Sequence, residues 1–343
     1  MTRMNLLAAG ALVGYAGMRL LTSGERSSFA GKAVLVTGGS RGLGLALARA
    51  FATEGARIAI CGRDPEALER AQEALAATGS EVLALPVNVA DRDAVALLVE
   101  QVTARFGPID VLVNNAGVIE VGPAETMTLA DYEEAMAVNF WGMVHPTLAV
   151  LPSMRARRSG QIVNITSIGG RLGVPHLLPY SASKFAALGF SQGLRSEVRR
   201  DRVIVTTVVP GLMRTGSPRN ATFRGRHQAE YAWFSIADSL PGISVSVEEA
   251  ARRILDGARR GDAEVRFPLV TGLAVIASAV APNLTAAALD VTMRLLPDAP
   301  PDRRGRRPGR ESQSAVSPSW LTRLGDAAAR RYNQIAPSEG ASA

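Results

Sequence analysis

Lys32-Ala33-Val34-Leu35-Val36-Thr37-Gly38-Gly39-Ser40-Arg41-Gly42-Leu43-Gly44 is the stretch from which the fold can be read. Its first half is a short apolar run that reads as a buried parallel strand. After the glycines, Leu43, Ala46, Leu47, Ala50 and Phe51 recur at i, i+3, i+4, i+7 and i+8, the mark of a helix with one buried face. A strand, a glycine turn and a helix make a phosphate cradle. Glycines let the backbone approach a pyrophosphate, and the helix start offers free N–H groups and a positive dipole end. The spacing is Gly38-x3-Gly42-x-Gly44 rather than Gly-x-Gly-x2-Gly. The glycines alone would also fit a tight turn with no ligand.

Working outward, the chain alternates in step. Strand-like runs cover 56–60, 81–89, 109–114, 161–166 and 203–209, and helix-like segments such as 65–77, 94–106 and 129–150 lie between them. Alternation of this kind implies an α/β fold, a doubly wound Rossmann-type parallel sheet of about seven strands with helices on both faces. Ligands then bind outside the carboxyl ends of the strands. Tyr180 and Lys184 sit four apart in Tyr180-Ser181-Ala182-Ser183-Lys184, a spacing that puts a phenol and an ammonium on one helical face. A fixed positive charge nearby is expected to favour the phenolate and lower the tyrosine from its usual pKa of about 10. A tyrosine so tuned can exchange a proton with an alcohol oxygen. By itself the pair is equally at home as a solvated couple on any helix.

Thr37-Gly38-x3-Gly42-x-Gly44, Asn114-Asn115-Ala116-Gly117, Asn139, Ser167, Tyr180-x3-Lys184 and Pro210-Gly211 occur in the order and spacing of the short-chain dehydrogenase/reductase family. The sequence resembles its compact single-domain branch from about Gly31 to Gly261, on six separated motifs. The resemblance implies transfer of a hydride between a nicotinamide cofactor and a carbonyl or alcohol. It also implies a role for each matching residue. Tyr180 would be the general acid in reduction and the general base in oxidation. Lys184 would lower its pKa and hydrogen-bond the nicotinamide ribose, Ser167 would donate to the substrate oxygen, and Asn139 would kink its helix and hold a relay water. Asn114 would brace the sheet. The cofactor would lie along Gly38, Ser40, Arg41, Gly42, Leu43, Gly44, Arg63, Asn88, Val89, Asn115, Ala116, Gly117, Pro210, Gly211 and Thr215, besides Tyr180 and Lys184.

Charge argues for NADP(H) over NAD(H). A free 2′-hydroxyl is usually held by an acidic side chain after the second strand, whereas a 2′-phosphate needs cations. That strand ends Ile60-Cys61-Gly62-Arg63, with Gly62 at the family's acidic position. Arg63 and Arg41 would flank the phosphate with multi-donor guanidiniums, and Asp64 is expected to point away or cap the next helix. Asn88 stands where an acid is more usual beside adenine. The stretch 215–246 should hold the substrate loop; its Phe223, Tyr231, Trp233 and Phe234 suit either an apolar ligand or the core of a lid helix. His176 is a further candidate for the same cavity. Ser246-Val247-Glu248-Glu249 reads as a capping box and Gly261 as the matching stop.

The 343 residues divide into an apolar N-terminal segment (1–28), the catalytic domain (29–265), an apolar helical extension (266–297) and a basic tail (298–343) read as largely disordered. Residues 4–18 carry no charge; extended to Leu21 as a helix they reach about 27 Å, just under the roughly 30 Å hydrocarbon core. A membrane anchor is expected there, with an extra packed helix as the alternative. Arg19, Arg26 and Lys32 after the segment against Arg3 before it put the domain on the cytoplasmic side. Residues 269–281 form an apolar run too short to span, suited to cover the substrate mouth, meet a subunit or dip into a bilayer. In the tail, five arginines fall within 303–310 and supply much of the +7 net charge, so the basic character belongs to a tail read as solvated first, as touching anionic lipid second and as a nucleic-acid surface last. The lone Cys61 and three histidines offer no disulfide and no metal cluster. The partner expected is a small apolar, lipid-like carbonyl or alcohol, with a homo-oligomer besides. The competing class, a nucleotide-binding sensor with little turnover, would have been favoured by loss of Tyr180, Lys184 or Ser167, and none is lost.

Overall fold

A computed structural model describes residues 28–300 and 305–335. Its strands are β1 (Ala33–Thr37), β2 (Arg57–Gly62), β3 (Val82–Pro86), β4 (Val111–Asn114), β5 (Glu120–Val121), β6 (Gly160–Ile165), β7 (Val203–Pro210), β8 (Leu212–Arg214), β9 (Thr222–Arg224), β10 (Ser244–Ser246), β11 (Glu264–Phe267) and β12 (Arg306–Pro308). Seven of them form one sheet in the order β11-β7-β6-β4-β1-β2-β3, every pairing parallel. The order reverses beside β1, so a crevice opens between the carboxyl ends of β1 and β4, where ligands of such sheets bind.

Period-two alternation fills both sides of the sheet. Val34, Val36, Ile58, Ile60, Val111 and Val113 pack on one face with helices Gly42–Thr53, Pro65–Ala76 and Val247–Arg260. Ala33, Leu35, Ala59, Cys61 and Leu112 pack on the other with helices Arg92–Phe106, Gly142–Arg157 and Leu178–Val198. Each large aliphatic side chain so buried contributes about 1.5–3 kcal/mol. Polar bracing runs across the middle. Asn114 Nδ2 donates to Thr147 Oγ1 (2.9 Å) and Asn164 Oδ1 (2.8 Å), and Asn164 Nδ2 donates to Ser191 Oγ (3.0 Å). Val247–Arg260 starts on the Ser246 cap, which accepts from Glu249 N, and ends on Gly261 at φ +67°, as the sequence predicts.

Two features differ from the sequence reading. The helix predicted over 129–150 is Leu129–Ala135, a widened π turn Met136–Trp141, and Gly142–Arg157. After β11 the apolar extension runs as two short helices, Leu269–Val280 and Pro282–Met293. Their apolar residues are largely exposed: Leu269 77%, Val280 79% and Leu284 72%. Leu284, Val291 and Leu295 are likewise exposed. No helix among the described residues is long and apolar enough to cross a membrane, and the predicted anchor at 4–21 lies outside them.

The tail is the largest correction. Residues 305–335 are not disordered: β12 pairs antiparallel with β9, and helix Arg323–Arg331 packs beside helix His227–Ser239. Composition hid this because the partners are remote in sequence. Arg306 meets Glu134 at 2.6 Å and buried Glu120 at 3.9 Å, and Tyr332 OH donates to Glu248 Oε1 at 2.9 Å.

Candidate functional site

A cleft of about 670 Å³ runs along the carboxyl ends of β1, β2, β4, β6 and β7. At its centre the glycine turn is locked to β4. Asn115 Nδ2 donates to the carbonyls of Thr37 (3.0 Å) and Gly38 (3.1 Å), while Thr37 Oγ1 accepts from Asn115 N and Ala116 N. Close approach excludes side chains here. A Cβ on Gly38, at φ +63°, would lie 2.8 Å from Ala116 Cα, and one on Gly44 would land on the Gly38 carbonyl and 2.5 Å from Asn115 Nδ2. Bare backbone at a helix start suits a pyrophosphate. Gly38, Ser40, Arg41, Gly42, Leu43, Gly44, Arg63, Asn88, Val89, Asn115, Ala116, Gly117, Tyr180, Lys184, Pro210, Gly211 and Thr215 all line this cleft, so the residues present fit a dinucleotide.

Toward β6 the cleft reaches Ser167, Tyr180 and Lys184. Ser167, two residues beyond β6, lies in extended backbone and caps the following turn, its Oγ accepting from Gly169 N at 3.0 Å. Tyr180 and Lys184 share a face of helix Leu178–Val198, with Lys184 Nζ 5.7 Å from the Tyr180 ring centre and donating to Ile165 O at 3.1 Å. Asn139 does not line the cleft. It sits behind it in the π turn, where its Nδ2 donates to Val118 O (3.1 Å) and Ser183 Oγ (2.9 Å) and its Oδ1 accepts from Val118 N (2.9 Å). Ser183 Oγ donates in turn to Tyr180 O at 2.8 Å, so Asn139 touches the tyrosine's helix rather than its hydroxyl.

The electrostatics differ from the expectation of a lowered phenol. Burial pushes Tyr180 up to about 12; its hydrogen bond with Ser167 pulls it back and the Asp238 carboxylate pushes it further up. Burial pushes Lys184 down to about 8. Both shifts have one cause, since loss of water disfavours whichever form is charged. At the separation seen, desolvation outweighs the lysine's attraction for a phenolate. Asp238, unread in the sequence, faces the same space from helix His227–Ser239. Its carboxyl is pushed up to about 7 by burial, while a hydrogen bond from Met213 N (3.2 Å) and the charge of Arg214 pull it back.

The lid residues sort themselves. Phe234 lines the cleft, whereas Phe223 and Tyr231 form a small core with Val121, Leu177 and Ala221, and Trp233 packs against it. His176 is buried but does not line the cleft. Its Nδ1 meets Glu230 at 2.9 Å, and Trp233 Nε1 donates to the same carboxylate at 2.7 Å. This pins the loop before Tyr180 to the lid helix, a pairing across 54 residues that no local pattern signals.

At the far end of the cleft, Asp64 caps helix Pro65–Ala76 through Ala67 N (3.1 Å), as expected. It does not point away, however. Its other oxygen holds Arg41 Nη2 at 2.7 Å, while Arg41 Nη1 donates to Asn220 Oδ1 at 2.9 Å. Arg63 is exposed.

Residues 32–223 match the family model described as short chain dehydrogenase. The chain is 38% identical over 242 residues to "Putative oxidoreductase SadH" of Mycobacterium tuberculosis, covering 70% of this chain and 87% of that one. It is 36% identical over 241 residues to a dehydrogenase/reductase SDR family protein 7-like of Anopheles gambiae (68% and 74% covered). It is 33% identical over 259 residues to dehydrogenase/reductase SDR family member 7B of Bos taurus (73% and 78%).

Proposed function

The chain belongs to the short-chain dehydrogenase/reductase family of oxidoreductases, and we propose that it is an NADP(H)-dependent member acting on a carbonyl or alcohol of an apolar, lipid-like substrate, with Tyr180 as the acid/base. The observation that carries this reading is the meeting of Tyr180, Ser167 and Lys184 at one end of a cleft whose other end is lined by Arg41 and Arg63. The nicotinamide supplies the carbon that exchanges a hydride and, when oxidised, a positive charge. The chain's own residues do the rest. Ser167 Oγ, beside the Tyr180 hydroxyl, donates to the substrate oxygen as negative charge builds on it. Tyr180, held protonated by burial, donates its proton to that oxygen in reduction and recovers it in oxidation. Lys184, anchored on Ile165 O, holds the ammonium beside the ring, and Asn139 positions the helix that carries both. Gly38, Leu43 and Gly44 take the pyrophosphate, with Gly42 beside them and its own N–H held by Tyr332 O; Asn88 and Val89 take the adenine side, and Asn115 to Gly117, Pro210, Gly211 and Thr215 the nicotinamide side.

An apolar substrate is supported by Val174, Leu177, Leu212, Met213 and Phe234 around the reaction end of the cleft. Membrane association on the cytoplasmic face is part of the proposal, supported by the exposed apolar helices 269–280 and 282–293. A homo-oligomer is supported by Trp141, Leu148 and Phe185, exposed on or beside the two helices that flank the site. The test is turnover on a panel of aliphatic, steroid-sized and aromatic ketones, aldehydes and alcohols with each cofactor. Turnover at least tenfold better with NADP(H) is expected. Equal or better turnover with NAD(H) would refute the preference, and NADPH binding with no turnover on any compound would favour the sensor reading.

A further inference from the structure

The C-terminal segment does more than fill surface. It runs back across the adenosine end of the cleft and ties itself to the cradle's own backbone. Gly42 N donates to Tyr332 O at 2.8 Å, Asn333 Nδ2 donates to Ser40 O and Ala67 O at 2.8 Å each, and Asn220 Nδ2 donates to Gln334 Oε1 at 2.6 Å. Gln334 lies so close that a Cβ on Gly42 would be 2.6 Å from its Nε2. Upstream in the segment, Gly309 N donates to Ala221 O at 2.8 Å, which sets Arg310 at the mouth of the cleft.

Between this segment and the cradle lies a second cavity of about 80 Å³, adjoining the main cleft and sharing Arg41, Asp64, Asn220, Arg310 and Gln334 with it. Four guanidiniums line it, those of Arg41, Arg70, Arg219 and Arg310, against the single carboxylate of Asp64. That carboxylate is already engaged by the Ala67 N–H of the helix cap and by Arg41, and these contacts outweigh its partial burial and lower its pKa, so it stays an anion beside its arginine. Arg70 Nε donates to Asn333 Oδ1 at 2.9 Å, which fixes a further guanidinium in the wall. A small chamber lined by four guanidiniums and one engaged carboxylate, opening on the place where a cofactor's adenosine would lie, has the chemistry of a phosphate-monoester site. Planar guanidiniums offer paired donors matched to phosphate oxygens.

We propose that this chamber receives the 2′-phosphate of the cofactor and that the C-terminal segment forms its outer wall, with Arg310 as a phosphate ligand and Asn333 and Gln334 as positioning residues. This rests on the NADP(H) reading. It adds a specificity element supplied by a part of the chain some 250 residues beyond the second strand, outside the stretch on which the family motifs lie. The segment thereby makes discrimination between the two nicotinamide cofactors depend on its own docking.

The test uses the full chain and two probes that carry no nicotinamide, 2′,5′-ADP and 5′-ADP, with dissociation constants from calorimetry. Wild-type protein is expected to prefer 2′,5′-ADP. Arg310 is exposed and makes no hydrogen bond or ion pair among the described residues, so Arg310→Ala should leave the fold intact. Its Kd for 2′,5′-ADP should rise about tenfold, equivalent to about 1.4 kcal/mol, with the Kd for 5′-ADP within twofold and Arg310→Lys intermediate. If Arg41→Ala weakens 2′,5′-ADP while Arg310→Ala and Gln334→Ala leave it unchanged, the preference stands and the proposed wall is wrong. If Arg310→Ala weakens both probes equally, phosphate recognition by the segment is likewise refuted. A wild type that does not distinguish the probes overturns the NADP(H) reading and this proposal together.

Discussion

Asp238→Asn should stabilise the protein by an amount that grows as pH rises from about 4 to 7 and then levels off. The wild-type carboxyl is almost wholly buried, and burial pushes it from 3.8 up to about 7. The sign follows from linkage. A carboxyl whose pKa is raised in the folded state binds more protons folded than unfolded, so stability falls as pH rises from about 4 to 7 and is flat above. Each pKa unit is worth about 1.4 kcal/mol. Between pH 5 and 8.5 the folded form therefore loses about 3 kcal/mol at this residue. Asparagine keeps an oxygen for Met213 N and never ionises, so the variant escapes that loss. For a protein of this size about 3 kcal/mol corresponds to roughly 5–10 °C in Tm. Thermal unfolding of both proteins at pH 5 and 8.5 isolates the residue as a double difference, in which Glu120, also raised to about 7 by burial, cancels. A variant-minus-wild-type Tm that does not change between the two pH values would refute the reasoning.

Gly44→Ala places a methyl on the Gly38 carbonyl, so NADPH binding by fluorescence titration should weaken at least tenfold and Tm should fall; unchanged affinity would mean the cradle is more pliant than its contacts indicate. His176→Leu leaves the Glu230 carboxylate buried with only Trp233 as a donor, at a cost of about 3–5 kcal/mol by urea unfolding, and Glu230→Leu in the same chain should recover much of it. A single-variant cost below about 1 kcal/mol would contradict that view of the pair. Ile276→Glu, on an exposed apolar face, should reduce co-flotation with anionic liposomes without lowering Tm; unchanged flotation would move membrane contact away from this hairpin.

What the sequence made legible was periodic or locally spaced. The Lys32–Gly44 stretch foretold β1, the turn and helix Gly42–Thr53 because alternation and i, i+3, i+4 recurrence are consequences of backbone geometry. The seven-stranded parallel sheet followed from repeating that pattern, and every residue expected at the cofactor lies along one cleft. The misses involve partners far apart in sequence. Asp238 looked like any acid in an amphipathic helix, since only the fold removes its water. His176 looked like a pocket residue until Glu230 met it. The arginine-rich tail looked solvated because its counter-charges, Glu120, Glu134 and Glu248, sit on other elements. The phenol's upward shift was missed for a related reason: helical spacing shows that a lysine is near but not that both groups are dry.

The central claim is that Tyr180 moves the proton, and the split between binding and turnover in Tyr180→Phe tests it most directly. Removing one hydroxyl leaves the cleft's shape unchanged. NADPH affinity should stay within about twofold, while kcat on the best substrate of the panel should fall roughly 10²- to 10⁴-fold, the usual contribution of a positioned acid/base. A Tyr180→Phe protein that binds NADPH normally and turns over within tenfold of wild type would contradict the account.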